Sequence, residues 1–167
     1  TGIVLQRYGA RAFQYDATEG IGPLREAVVD HLEAKQVRAS ADEILVASGS
    51  QGVLDGLGKI IIGQGDLVAV EAPTYLGALG AYNAYEPTYD RLDPRGNRSA
   101  ESFRAKAEAA GGRVKFAYLS VDFANPTGET LDRAAREAVI DLADALDIAI
   151  VEDAAYQSLR FDGEAIP

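Results

Sequence analysis

Residues 114–130 read VKFAYLSVDFANPTGET. Val114 to Ser120 is the apolar, aromatic-bearing kind of run that forms a strand inside a sheet. It ends in a rigid polar corner, because Asn-Pro starts turns and Pro removes a backbone donor. The same juxtaposition recurs along the chain. Ile44-Leu45-Val46-Ala47 reads as a short buried strand and runs into Ser48-Gly49-Ser50-Gln51-Gly52. Leu67 to Val70 is a strand that leads to Glu71-Ala72-Pro73-Thr74-Tyr75. Ile148 to Val151 reads as a buried strand ending at Glu152-Asp153, with Tyr156 shortly after. Glu86 to Leu92 is a further strand, weakened by Pro87.

Helices fill the intervals. Pro23 opens one, with Leu24, Ala27, Val28, His31 and Leu32 on its apolar side. His31 reads there as a partly buried packing residue. Val53, Leu54, Leu57, Ile60 and Ile61 mark a second helix, stopped by Gly63. Small residues over Leu76 to Tyr82 make a third. Ser99 caps a fourth that runs through Ala110, and Gly111-Gly112 ends it. Thr130 reads as the cap of a fifth, which carries Leu131, Ala135, Ala138, Val139, Leu142 and Leu146. Strands alternating with helices predict an α/β fold of three layers, a mostly parallel sheet covered on both faces. In such sheets ligands sit beyond the carboxyl ends of strands, where the unusual polar residues of this chain gather.

Composition narrows the function. The chain has 167 residues, 47% hydrophobic and 25% charged, which suits a domain with a real core. Its formal net charge of −10 argues against nucleic acid as a partner. It has no cysteine, so disulfides and thiolate metal sites are excluded. No metal-ligand spacing is present. No apolar run approaches the ~18 residues of a membrane span, and no signal peptide is visible. The expected setting is the cytoplasm.

Several residues carry a chemical reading beside a plain one. The Ser48–Gly52 turn can hold a phosphate at a helix start, or simply cap that helix. Asp153, at the end of an apolar run, needs a partner such as a protonated heterocyclic nitrogen, or else caps the next helix. Tyr75 can stack on a flat ring or pack in the core. Asn125 offers both a donor and an acceptor, and Tyr156 lies close enough in sequence to share a ligand with Asp153. None of these decides alone. Clustered acids such as Glu101, Glu108 and Glu137 read as solvated helix faces.

Taken in order, the motifs resemble the fold type I pyridoxal 5′-phosphate (PLP) enzymes, the class I/II aminotransferases. The likeness is closest to the subgroup of aminoadipate and aromatic aminotransferases and of the aminotransferase-like domains of MocR regulators. Four stretches carry it: Tyr15–Gly20 with Leu24-Arg25-Glu26; Ser48–Gly52 with Leu54-Asp55; Glu71–Tyr75; and Asn125–Gly128 with Val151–Tyr156. The resemblance implies PLP as cofactor. It implies that Ser50 and Gln51 hold its phosphate, that Tyr75 stacks on its ring, and that Asn125 and Tyr156 bond its phenolic oxygen. Asp153 would pair with its ring nitrogen, and Tyr15 would reach the phosphate of the neighbouring subunit in a homodimer. A cis Asn125-Pro126 bond is one way to aim the Asn side chain.

The likeness has gaps. Val121-Asp122-Phe123-Ala124 stands where the family commonly has Pro and Gln. The family's Schiff-base lysine lies downstream of Asp-x-x-Tyr, and Lys35, Lys59, Lys106 and Lys115 match no such context. With no Met in the chain and Ile166-Pro167 at its end, residues 1–167 are expected to be part of a PLP-binding large domain, truncated at both ends. The expected function is transamination between an amino acid and a 2-keto acid in the full-length protein, the 167-residue piece alone being inactive. The alternatives are a PLP-sensing domain of a MocR-type regulator, another PLP reaction such as a C–S lyase, or a non-catalytic remnant that only folds or dimerises.

Overall fold

A computed structural model describes residues 1–166. They form two compact units, Thr1–Gly49 and Ser50–Ile166.

The first unit holds helices α1 (Gly2–Tyr8) and α2 (Gly22–Glu33), with Pro23 in the first turn of α2 as expected. None of its residues is fully buried, and His31 is exposed rather than packed. Local bonds organise it. Arg25 Nη1 donates to Ala41 O at 2.8 Å, and Ser40 and Glu43 form a reciprocal cap. Ile44–Ala47 does not form the expected strand. Val46 N–H donates to Glu19 O at 2.9 Å and Ile44 N–H closes a turn on Ala41 O at 3.3 Å, but neither bond builds a ladder, and Leu45 is 63% exposed. Apolar, β-branched residues make a strand only where a neighbour supplies a ladder.

The second unit is a three-layer α/β sandwich. Its elements are α3 (Ser50–Ile61), β1 (Leu67–Val70), α4 (Leu76–Asn83), β2 (Thr88–Arg91), α5 (Ala100–Ala109), β3 (Val114–Leu119), α6 (Arg133–Leu146) and β4 (Ala149–Glu152). The strands are all parallel, in the order β2-β1-β3-β4. Strand alternation divides the core in two. Leu67, Ala69, Ala117 and Leu119 face α5 and α6, where Phe103, Ala107, Val139, Leu142 and Leu146 close the first core. Val68, Val70, Phe116 and Tyr118 face α3 and α4, where Leu54, Ala78, Ala81 and Tyr82 close the second. Gly58 is needed there, since a Cβ would lie 2.8 Å from the Tyr85 ring.

Two details differ from expectation. The N-cap of α6 is Asp132, whose Oδ1 accepts from Ala135 N–H at 2.8 Å. Thr130 instead accepts from Phe123 N–H through its hydroxyl, at 3.3 Å. The β4 run is half exposed rather than buried, because β4 is an edge strand.

The order β2-β1-β3-β4 places a switch between β1 and β3. From β1 the chain crosses by α4 to β2; from β3 it crosses by α6, on the other face, to β4. Such a switch leaves a crevice outside the carboxyl ends of the two central strands.

Candidate functional site

The crevice is bounded by three loops that follow β1, β3 and β4, and by the start of α3. After β1 come Glu71, a cis Ala72-Pro73 bond, Thr74 and Tyr75. Tyr75 is half-buried and occupies the N-cap position of α4. Its ring folds back over the first turn of that helix. A Cβ on Gly77 would lie 2.3 Å from the ring, so only glycine permits the arrangement. Gln51 Nε2, at the start of α3, donates to Gly77 O at 2.9 Å and ties the two helix starts together. The first N–H groups of any helix lack intrahelical acceptors, and those at Ser50 and Gln51 are therefore open to an anion.

The loop after β3 is closely braced. Ala124 N–H donates to Glu129 O at 2.9 Å and Leu131 N–H to Val121 O at 2.8 Å. Asp122 is only 1% exposed and accepts from Arg136 Nη2 at 3.2 Å and Arg160 Nη2 at 2.7 Å. Arg136 also donates to Leu131 O and Ile166 O. The Arg160 guanidinium lies 4.9 Å from the centre of the Phe123 ring. This cluster fixes the base of the loop that carries Asn125. The Asn125-Pro126 bond is cis, as the sequence reading proposed. Asn125 is half-buried, and its amide makes no side-chain hydrogen bond among the described residues.

Asp153 follows β4. Its N–H donates to Leu119 O at 2.9 Å and so continues the ladder by one residue. Its Oδ2 accepts from the Tyr118 hydroxyl at 2.8 Å, and its Oδ1 accepts only a long 3.3 Å bond from Ala155 N–H. Among the described residues no Lys, Arg or His pairs with it. A half-buried carboxylate without a cation is what a positively charged ligand atom requires. Tyr156 is 40% exposed, and its hydroxyl makes no hydrogen bond among the described residues.

Three links bring these loops to one edge. Gln51 joins α3 to the Tyr75 turn. Glu71 Oε2 accepts from Ser120 N–H at 2.9 Å, which joins the ends of β1 and β3 across the switch. Tyr118 joins β3 to Asp153. Burial raises the pKa of Glu71, the Ser120 N–H opposes this, and Glu129 adds to the rise. Burial first, and Asp153 second, hold the Tyr118 phenol far above its ordinary value. The Thr74 hydroxyl, next in sequence to Tyr75, is buried with no hydrogen-bond partner among the described residues, a polar atom left over at the crevice.

Ser50, Gln51 and Tyr75 thus lie at helix starts, and Asn125, Asp153 and Tyr156 in the loops that follow β3 and β4, all within one unit. Tyr15 belongs to the other unit and is fully exposed. A cavity of about 590 Å³ opens where β3 begins, lined by residues such as Ile61, Arg104, Arg113 and Lys115. None of the expected site residues borders it. The sequence reading missed Tyr118, Glu71 and the Asp122 cluster. Asp122 carried a signal, an acid inside an apolar stretch. Tyr118 carried none, since a strand tyrosine reads as core.

A family profile described as aminotransferase class I and II matches residues 8–166. Aromatic-amino-acid aminotransferase 1 of Thermococcus litoralis is 39% identical over 98% of this chain, which spans 40% of that protein. The 2-aminoadipate transaminase of Thermus thermophilus is 32% identical, with the same coverage of 98% and 40%. Among solved structures, the kynurenine aminotransferase of Pyrococcus horikoshii, crystallised with PMP, superposes with a TM-score of 0.84. It is 37% identical over 98% of this chain and 42% of its own. The chain spans about two fifths of the length of these relatives.

Proposed function

The chain belongs to the aminotransferase class I and II family, and we propose that it builds the PLP-binding face of an enzyme that moves an amino group between an amino acid and a 2-keto acid. One observation supports this above the rest. A half-buried carboxylate with no cationic partner stands at the same sheet edge as an open helix start and an aromatic ring.

The donor set fits the coenzyme. PLP has a phosphate, a flat ring, a phenolic oxygen and a basic ring nitrogen, and the crevice offers a counterpart to each. When bound, PLP supplies an electron sink, since its protonated ring withdraws charge from the substrate carbon that loses a proton. The chain's part is to hold it and tune it. N–H groups at Ser50 and Gln51, with the Ser50 hydroxyl, take the phosphate. Tyr75 stacks on the ring. Asn125 and Tyr156, whose polar groups are otherwise unspent, donate to the phenolic oxygen. Asp153 keeps the proton on the ring nitrogen by opposing its charge.

On this reading residues 1–167 are part of the large, cofactor-binding domain. The protein acts as a cytoplasmic homodimer in which Tyr15 serves the neighbouring subunit's phosphate site. The Schiff-base lysine lies outside these residues. Lys106 is committed to Asp90 and Tyr89 O, and Lys115 to Asp66. The test is reconstitution of the full-length protein with PLP, followed by visible absorbance and an assay of keto-acid formation. Uptake of PLP that is lost in Asp153→Ala supports the reading; equal uptake by both contradicts it.

A further inference from the structure

We infer that Tyr118 is a positioning residue for Asp153, holding one carboxylate oxygen so that the other is left to the ring nitrogen of the cofactor. The inference rests on the PLP reading above and adds a residue to it. The Tyr118 hydroxyl donates to Asp153 Oδ2 at 2.8 Å, while Oδ1 has only the 3.3 Å contact with Ala155 N–H.

The tyrosine is well placed for this. It is fully buried, on the β3 face that packs against α4. Its ring meets Tyr82 edge to face at 6.0 Å, and Tyr82 meets Phe116 in the same way at 5.3 Å. The ring is therefore clamped, and the direction of its hydroxyl is set by the strand. Among the described residues the neighbouring Tyr82 hydroxyl has no hydrogen-bond partner, so Tyr82 contributes its ring alone.

The chemistry explains why a phenol suits this place. Burial and the adjacent carboxylate hold Tyr118 protonated, so it acts here only as a donor. A neutral donor orients a carboxylate without cancelling its charge. An arginine would do both, as two do at Asp122. The full negative charge of Asp153 then remains for the ligand.

The experiment uses the full-length protein and two probes, PLP and its analogue with carbon in place of the ring nitrogen. Tyr118→Phe keeps the ring packing and removes the hydroxyl. We expect it to weaken PLP by about tenfold and the carbon analogue by less than about twofold. In an Asp153→Asn background the same substitution should have no further effect. Unchanged PLP affinity in Tyr118→Phe overturns the inference. So does an equal loss for both probes, which would mark a merely structural role. No PLP uptake by the unsubstituted protein would instead overturn the proposed function, and the inference with it.

Discussion

Asp122 follows β3 and Asp153 follows β4, yet the chain surrounds these two acids in opposite ways. Asp122 is 1% exposed and enclosed by the guanidinium groups of Arg136 and Arg160. Asp153 is half-buried and held by neutral donors alone, the Tyr118 hydroxyl and, at 3.3 Å, Ala155 N–H. The first carboxylate has its charge matched within the fold. The second has been oriented and left unmatched. A folded chain tolerates such an acid where solvent or a ligand completes it. On the proposed reading, the difference separates an acid that braces the site from one that serves it.

The largest expected effect breaks the comparison from the structural side. Asp122→Ala strands two arginines in a buried position. It should cost about 3–5 kcal/mol of unfolding free energy, as removal of one partner from a buried ion cluster does. Denaturant unfolding measures this. Asp153→Ala should cost less, about 1–3 kcal/mol in the same assay, because it removes no matched charge but leaves the buried Tyr118 hydroxyl without its acceptor. Equal losses would erase the distinction drawn here.

The ligand side reverses the ranking. Asp153→Ala should weaken PLP by about ten- to a hundredfold, the scale of a hydrogen bond to a charged group. Absorbance titration reads it. A smaller effect is expected at the Tyr75 turn. Gly77→Ala would gain about 1 kcal/mol of helix propensity in isolation. Its new methyl group meets the Tyr75 ring, however, so the ring must move. PLP affinity should fall several-fold while the helix content of the far-ultraviolet spectrum stays the same.

The smallest effect concerns pH. Burial raises the Glu71 pKa, so its protonated form is favoured in the folded state. Its contribution to stability is complete below the ordinary carboxylate range and is lost as pH rises through it. Asp66 has the opposite sign. Burial alone would raise it, but bonds from Arg113 N–H, Gly63 N–H and Lys115 bring it below its ordinary value. Its contribution is present at neutral pH and lost on acidification. Glu71→Gln should therefore stabilise the protein slightly at pH 7 and leave it unchanged near pH 3. Asp66→Asn should destabilise it at pH 7 and converge with the unsubstituted protein in acid. Unfolding midpoints across that range check both signs.

Much of this arrangement was legible in the sequence, for identifiable reasons. Short apolar runs exposed β1, β3 and β4, and the turn residues after them marked one edge. Ile44–Ala47 misled because local pattern reports propensity, whereas a strand also needs a partner. The Thr130 cap misled because two residues nearby, Thr130 and Asp132, can each cap, and the backbone bond from Leu131 to Val121 selected the second. Asp153 stood out as an acid closing an apolar run. Its partner Tyr118 did not, since the pair is 35 residues apart and joined only by strand register. Glu71 and Ser120 met for the same reason, across 49 residues. Pairings between strands are written in topology, and local sequence spacing does not reveal them.

The most direct test of an unmatched Asp153 charge is nitrogen NMR of PLP labelled at its ring nitrogen and bound to the full-length protein. A protonated nitrogen at neutral pH, with the proton lost in Asp153→Asn, is the predicted result. An unprotonated nitrogen in the unsubstituted protein, or a signal indifferent to the substitution, would contradict the account.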